Sequence, residues 1–176
     1  MSSAPTYLPR YTTTDYELWE GDWELWDGHA VAMSPAPNVR HQRVAKQLLL
    51  AIQDQLDQHQ DCHCEVLYEV DWRIKDDTVF RPDLVVVCEP IETPWLEKPP
   101  SLIVEVLSPS TEKNDRGYKR KRYAELGVGH YLVVDPEAQQ IETLQSVDHT
   151  YQPAEPTELT LNDGCTINLD TASIWI

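Results

Sequence analysis

The stretch "SLIVEVLSPSTEKNDRGYKRKRYAEL", residues 101–126, decides the fold. Leu102, Ile103, Val104, Val106 and Leu107 make a nearly continuous apolar run, the pattern of a strand buried on both faces. Glu105 stands in the middle of it. A carboxylate there is costly to desolvate unless a cation or strong donors meet it. After Ser108-Pro109-Ser110 the pattern turns helical: Asn114 or Asp115 can cap a helix running to Leu126, and Gly127 is placed to stop it. At about 100° per residue, Lys119, Tyr123 and Leu126 share the most apolar stripe of that helix, while Arg120 and Lys121 point away. A lysine on an inward stripe needs an anion, and Glu105 or a bound phosphate would serve. Lys121 reads as a solvated charge.

Upstream, "DWELWDGHAVAMS" alternates as a strand pair, Trp23 to Trp26 and His29 to Met33, turning at Asp27-Gly28. Asn38 is a fair N-cap for a helix from Val39 to about Gln58, whose stripe is Val44, Leu48, Ala51, Ile52 and Leu56, with His41 near its centre. Strands are expected at Glu65–Ile74, Asp83–Val87 and Leu102–Leu107, with "KDDT" as the first turn. "HYLVVDP" is a further buried strand, and a weaker alternation continues through Ile141–Leu144, Leu159–Leu161 and Thr166–Leu169. Helix, meander, helix and strand give a mixed α+β fold around a central sheet flanked by helices. Residues 1–176 read as one domain, with 1–12 as an N-terminal arm.

If Asp83–Val87 and Leu102–Leu107 pair antiparallel, Asp83 and Glu105 meet at one end of the sheet. Like charges that close call for a shared cation. Two carboxylates, waters and phosphate oxygens are what Mg²⁺ takes. The structural alternative is that Asp83 caps a turn after Pro82 and Glu105 finds an arginine such as Arg81.

"RPDLVVV", "LIVEVLSPST" and "DRGYKRKRYAELGVGHYLVVDP" closely resemble the Uma-two family of restriction-endonuclease-like proteins, within the PD-(D/E)xK nuclease superfamily. The likeness extends upstream through "WELWDGHAVAMSPAPNVRHQRV" and covers roughly residues 16–145. It implies Pro82-Asp83 as the P-D element and Glu105 as the second acid. The superfamily pattern places lysine two residues after that acid, where this chain has Leu107; the resemblance implies that the lysine has migrated to Lys119. Glu24 and His41 match further family positions, Glu24 as an added metal ligand and His41 as lining or as a core histidine. The resemblance implies a Mg²⁺-dependent endonuclease (Mn²⁺ substituting) acting on DNA and leaving a 5′-phosphate and a 3′-hydroxyl. Asp83, Glu105 and the Val106 carbonyl would hold the metal, and Lys119 would complete the catalytic set.

The net charge of −16 argues against loose nucleic-acid binding, which is mostly electrostatic. Residues 11–38 and 135–176 hold no Lys or Arg and contribute −6 and −8, which leaves −2 for the rest. Within that remainder Lys113, Arg116, Lys119, Arg120, Lys121 and Arg122 form one basic patch, so Arg116, Arg120 and Arg122 are the expected nucleic-acid contacts. The rival reading is a nuclease fold kept as an accessory or binding protein, favoured by the charge and the displaced lysine. Trp19, Trp23 and Trp26 are either core or the face of a homodimer.

No run approaches the ~18 apolar residues of a membrane span, and the N-terminus lacks a basic-then-apolar signal. A cytoplasmic protein is expected. Ser108 and Ser110 lack a G-x-S-x-G setting, and the six His form no cluster. The cysteines at 62, 64, 88 and 165 include a C-x-C flanking His63, a weak match to zinc spacing, and reduced structural thiols are expected.

Overall fold

The computed structural model describes residues 8–34, 37–59, 61–155 and 158–175. The fold is α+β, as the alternation of apolar runs and helical stripes predicts. Strands β1 (Trp23–Trp26) and β2 (His29–Ala32) form the expected hairpin, with Asp27 and Gly28 both at positive φ (46° and 82°). That is the conformation an Asp-Gly turn supplies. A Cβ at Gly28 would lie 2.9 Å from Arg10 Nε, a contact the flexible arginine can relieve, so it is the positive φ that calls for glycine. Helix α2 (Val39–Asp57) follows the short helix α1 (Thr13–Tyr16), and Asn38 caps it by accepting from His41 N at 3.0 Å.

The expected strand Glu65–Ile74 is two strands in different sheets. Strand β3 (Glu65–Tyr68) ends where Glu69 turns to φ 50°, and β4 (Trp72–Lys75) leaves in a new direction. It pairs with a strand the sequence reading omitted, β5 (Thr78–Phe80), in a four-stranded sheet ordered β2-β1-β5-β4. The chain then returns as β6 (Leu84–Val87) to pair with β3, and β7 (Leu102–Val106) pairs antiparallel with β6 as anticipated. Leu84 opposes Val104, so Asp83 and Glu105 occupy the next rung.

The second helical region starts at α3 (Glu112–Asn114), passes through a π-turn (Asp115–Lys119) and ends in α4 (Arg120–Glu125). Gly127, at φ 91°, stops it. It carries the chain to β8 (His130–Asp135), parallel to β7, after which β9 (Gln140–Val147) and β10 (Thr150–Pro153) complete a six-stranded sheet ordered β10-β9-β8-β7-β6-β3. A separate hairpin, β11 (Glu158–Thr160) and β12 (Thr166–Asn168), packs against α2.

Strands β6 and β7 are wholly buried because both faces are covered. Leu84, Val86, Leu102 and Val104 pack with Val44, Leu48 and Ile52 of α2. Val85, Val87 and Ile103 pack on the other side with Tyr123 of α4, Phe80 and Tyr131. Of the tryptophans, Trp19 and Trp23 join Tyr16, Leu25 and Val79 in a small internal cluster, and Trp26 stacks on Tyr118 with centroids 4.7 Å apart. These side chains follow the core reading.

A further expectation is overturned. The cysteines are not free thiols: Cys62 is bonded to Cys165 and Cys64 to Cys88. Cys64 and Cys88 flank the paired strands β3 and β6 one rung beyond Glu65 and Val87, which brings them face to face. The described residues of the N-terminal arm dock beside the β1–β2 turn. Tyr11 N donates to Gly28 O at 2.8 Å, and Arg10 donates to Asp27 O at 2.8 Å. Residues 1–7 of that arm lie outside the described residues.

Candidate functional site

Glu105 faces Lys119. Its alternation along β7 points it to the α4 side of the sheet, and the inward stripe of that helix presents Lys119 and Tyr123. Lys119 Nζ donates to Glu105 Oε1 at 3.0 Å, and Tyr123 OH donates to the same oxygen at 2.8 Å. Arg81, the alternative partner, is engaged with Asp71 and Asp22. Lys119 also lies 3.1 Å from Glu24 Oε1 and 3.8 Å from Asp115 Oδ1. Glu24 comes from the centre of β1 and is fixed by Arg81 N at 2.7 Å and Trp26 Nε1 at 3.1 Å.

Asp83 sits at the mouth of this arrangement. Its Oδ2 accepts from Val106 N at 2.7 Å and lies 3.3 Å from His41 Nε2. Among the described residues, the hydrogen bonds to Asp83 and Glu105 fall on one oxygen of each. Both carboxylates line an open cleft of about 330 Å³ together with His41, Val106, Asp115 and Lys119. Asp83, Glu105, Val106, His41 and Lys119 of the sequence-derived set thus converge, with Glu24 behind Lys119.

Arg116, Arg120 and Arg122 do not line that cleft. Arg116 and Arg120 pair with Glu142 at 2.8 and 2.9 Å, and Arg122 pairs with Asp27 and Glu125 at 2.8 and 2.7 Å. The three arginines of the patch visible in the sequence are paired with acids, Glu142 and Asp27 from distant segments and Glu112 and Glu125 from the same helical region. Arg43 and Lys46 of α2 have no carboxylate within ion-pair distance among the described residues, and Lys46 lines a groove that continues from His41 and Asp83.

Asp115 is the member that the sequence reading treated only as a helix cap. It precedes Lys119 by four residues on the inward stripe, a spacing that placed it there as surely as Lys119 and Tyr123. The π-turn holds both inward, and Tyr131 OH locks the turn by donating to Asp115 O at 3.0 Å. Asp115 Oδ1 is buried without a hydrogen-bond partner.

Three buried carboxylates (Glu24, Glu105, Asp115) therefore surround one buried ammonium. Ionised together they leave an excess of two negative charges, which burial makes costly. Burial pushes the Glu105 carboxyl well up, against the opposing pull of Lys119. Burial likewise pushes Asp115 up to about 6. Burial works to lower Lys119, but Glu105, Glu24 and Asp115 outweigh it and hold its ammonium charged. For His41 too, burial opposes the charge while the hydrogen bond and charge of Asp83 prevail, so its pKa is raised. An all-oxygen donor set with surplus negative charge, in which Asp83 and Glu105 each keep one carboxylate oxygen clear of hydrogen bonds among the described residues, fits a hard divalent cation.

A stability prediction arises here. Asp115 has a folded pKa raised above its ordinary 3.8 to about 6, so its contribution is fully present below pH 3.8 and is lost as pH rises through 6. Metal-free protein is expected to lose on the order of 2–3 kcal/mol across that window. Asp115→Asn should flatten this dependence in urea unfolding measured from acid to neutral pH. A slope unchanged by the substitution would assign the titration to another group.

Residues 13–172 match the Uma2 family, described as "Putative restriction endonuclease". A solved structure of a nuclease-like protein of the DUF820 group from Anabaena variabilis superposes with a TM-score of 0.73 at 13% identity, covering 93% of this chain and 97% of that one. That likeness establishes the shared fold. No curated protein matches the chain. Since the family match spans nearly the whole chain, from α1 to the last short helix, this protein belongs to the Uma2 family of restriction-endonuclease-like proteins.

Proposed function

We propose that this chain is an endonuclease that hydrolyses DNA phosphodiester bonds with Mg²⁺ held by Asp83, Glu105 and the Val106 carbonyl. The observation that carries the reading is Lys119 Nζ at 3.0 Å from Glu105, in the same cleft where Val106 N anchors Asp83 at 2.7 Å. When bound, Mg²⁺ supplies Lewis-acid polarisation of the scissile phosphate and lowers the pKa of a water. Lys119 orients the attacking water and offsets charge growing on the phosphate oxygens. His41 holds Asp83 from α2, while Tyr123 fixes the Glu105 oxygen that Lys119 also contacts. Glu24 and Asp115 keep Lys119 charged and in place. In-line attack leaves a 5′-phosphate and a 3′-hydroxyl.

Nucleic acid reaches the cleft along α2. Arg43 and Lys46 are the cations there without an acidic partner among the described residues, and Tyr68, two-thirds exposed, stands in the same groove as Lys46. Lys46→Glu is expected to weaken DNA binding similarly across sequences and to reduce the slope of log affinity against log salt by about 1 or more. Fluorescence anisotropy at several salt concentrations measures both. An unchanged slope would remove Lys46 from the path.

The test of the function is cleavage of plasmid and end-labelled duplex DNA by purified full chain. Activity with Mg²⁺, abolished by chelator and restored by added Mn²⁺, is the expected result. The second reading, an accessory protein of the same fold, is favoured by the neutralisation of Arg116, Arg120 and Arg122. It predicts little divalent-metal affinity and no metal-dependent scission, with a partner protein bound through the acidic faces.

A further inference from the structure

Four cysteines from three separate segments of the chain come together at the end of the sheet opposite the cleft. Cys62 and Cys64 lie in the segment before β3, Cys88 directly follows β6, and Cys165 sits between β11 and β12. Asp83 and Cys88 bracket β6. At about 3.3 Å per residue, the four residues of that strand and its flanks separate the two ends by roughly 15 Å or more. The cluster is therefore independent of the nuclease reading.

Two isolated disulfides would not need to lie together, yet one ligand atom each from Cys62, Cys64, Cys165 and Asp163 fall within 4.8 Å of one another. Cys88 is bonded to Cys64 and so adjoins the same group. All four sulfur-bearing residues pack against the same core, half-buried, which limits water at the sulfurs. The carboxylate of Asp163 organises the approach. Its Oδ1 accepts from Cys165 N at 2.9 Å and its Oδ2 from His63 N at 3.2 Å, tying the Cys165 turn to the residue between the other two cysteines. Oδ2 also lies 3.3 Å from Cys165 Sγ.

We propose that the reduced form of this protein binds one Zn²⁺ through the thiolates of Cys62, Cys64, Cys88 and Cys165, with Asp163 as the residue that positions Cys165. Four thiols release four protons as the tetrathiolate site forms, so no oxidant or reductant takes part in binding itself. Zn–S bonds of about 2.3 Å in a tetrahedron set sulfur separations of about 3.8 Å; Cys62, Cys64 and Cys165 lie within 4.8 Å of one another, and Cys88 comes to the same centre from its place beside Cys64. The site is closed and structural. It fastens the β11–β12 hairpin, whose Leu159 and Ile167 join the α2 core, to the β3–β6 edge of the central sheet.

The test uses the full chain, reduced anaerobically with a phosphine (which supplies the four electrons that open two disulfides) and checked for fold by circular dichroism. Titration with Co²⁺ is expected to give thiolate-to-cobalt charge transfer and tetrahedral ligand-field bands saturating at one equivalent, all displaced by Zn²⁺. Cys88→Ser and Cys165→Ser should each lose about a quarter of the charge-transfer intensity or more, in proportion to the thiolates removed. Asp83→Asn should leave the thiolate-to-cobalt charge-transfer bands unchanged. Folded, reduced wild type without thiolate-to-cobalt bands would overturn the proposal. So would bands that persist unaltered in Cys88→Ser and Cys165→Ser.

Discussion

Replacing Lys119 by methionine is expected to lower unfolding stability by about 3–5 kcal/mol, the cost of leaving buried charge uncompensated. Methionine keeps the bulk of the stem, so the loss is electrostatic rather than a cavity. Lys119 is 8% exposed at its side chain and is the ammonium shared by Glu24, Glu105 and Asp115. With whole-domain stability of about 5–15 kcal/mol, such a loss moves the thermal midpoint by roughly 6–20 °C. The defect has a pH signature. Glu105 and Asp115 already have folded pKa values raised by burial, and removing the ammonium raises them further. Stability tied to such groups is present below their unfolded values and lost as pH rises through the folded ones, so the defect grows from acid to neutral pH. Lys121→Met provides the contrast. That side chain is 76% exposed and, among the described residues, pairs with Glu125 alone, so its removal should cost within about 0.5 kcal/mol. A Lys119→Met protein as stable as wild type at neutral pH would mean that the buried carboxylates are protonated or otherwise compensated.

Asp83→Asn should reduce cleavage by about 1,000-fold or more. A metal contributes several kcal/mol of transition-state stabilisation, and each factor of ten is about 1.4 kcal/mol. Asparagine is isosteric, and its carbonyl oxygen can still accept from Val106 N, so the β6–β7 junction is expected to remain folded. What disappears is the negative charge that, in the proposed mechanism, holds the metal together with Glu105. Gel assays over time, with melting curves to establish folding, separate a chemical effect from a structural one. Cleavage at the wild-type rate would remove Asp83 from the machinery.

Most of the scaffold was legible because it rests on local chemistry. The apolar runs of β6, β7 and β8, the Asp27-Gly28 turn and the Asn38 cap are each dictated by neighbouring residues. Lys119 was legible as an inward residue from helical periodicity, independently of any family resemblance. The failures share a different cause. The break at Glu69 carries no Gly or Pro signal, because the chain bends at a residue whose positive φ is fixed by tertiary contact. The sulfur pairs join positions 103 and 24 residues apart, which no spacing rule anticipates. Arg116 and Arg120 looked like a free basic patch until the fold brought Glu142 beside them from the acidic tail. Asp115 was overlooked for a subtler reason. Its cap chemistry was a sufficient local explanation, although its four-residue spacing from Lys119 signalled the same buried face.

The most direct measurement is calorimetric titration of the full chain with Mn²⁺, wild type beside Asp83→Asn, because metal binding requires no guess about a DNA sequence. Saturable binding in wild type, weakened well beyond the about 10–100-fold that loss of an outer-shell partner costs, is the predicted result. Equal heats in the two proteins, or none in either while both remain folded, would contradict a divalent site shared by Asp83 and Glu105.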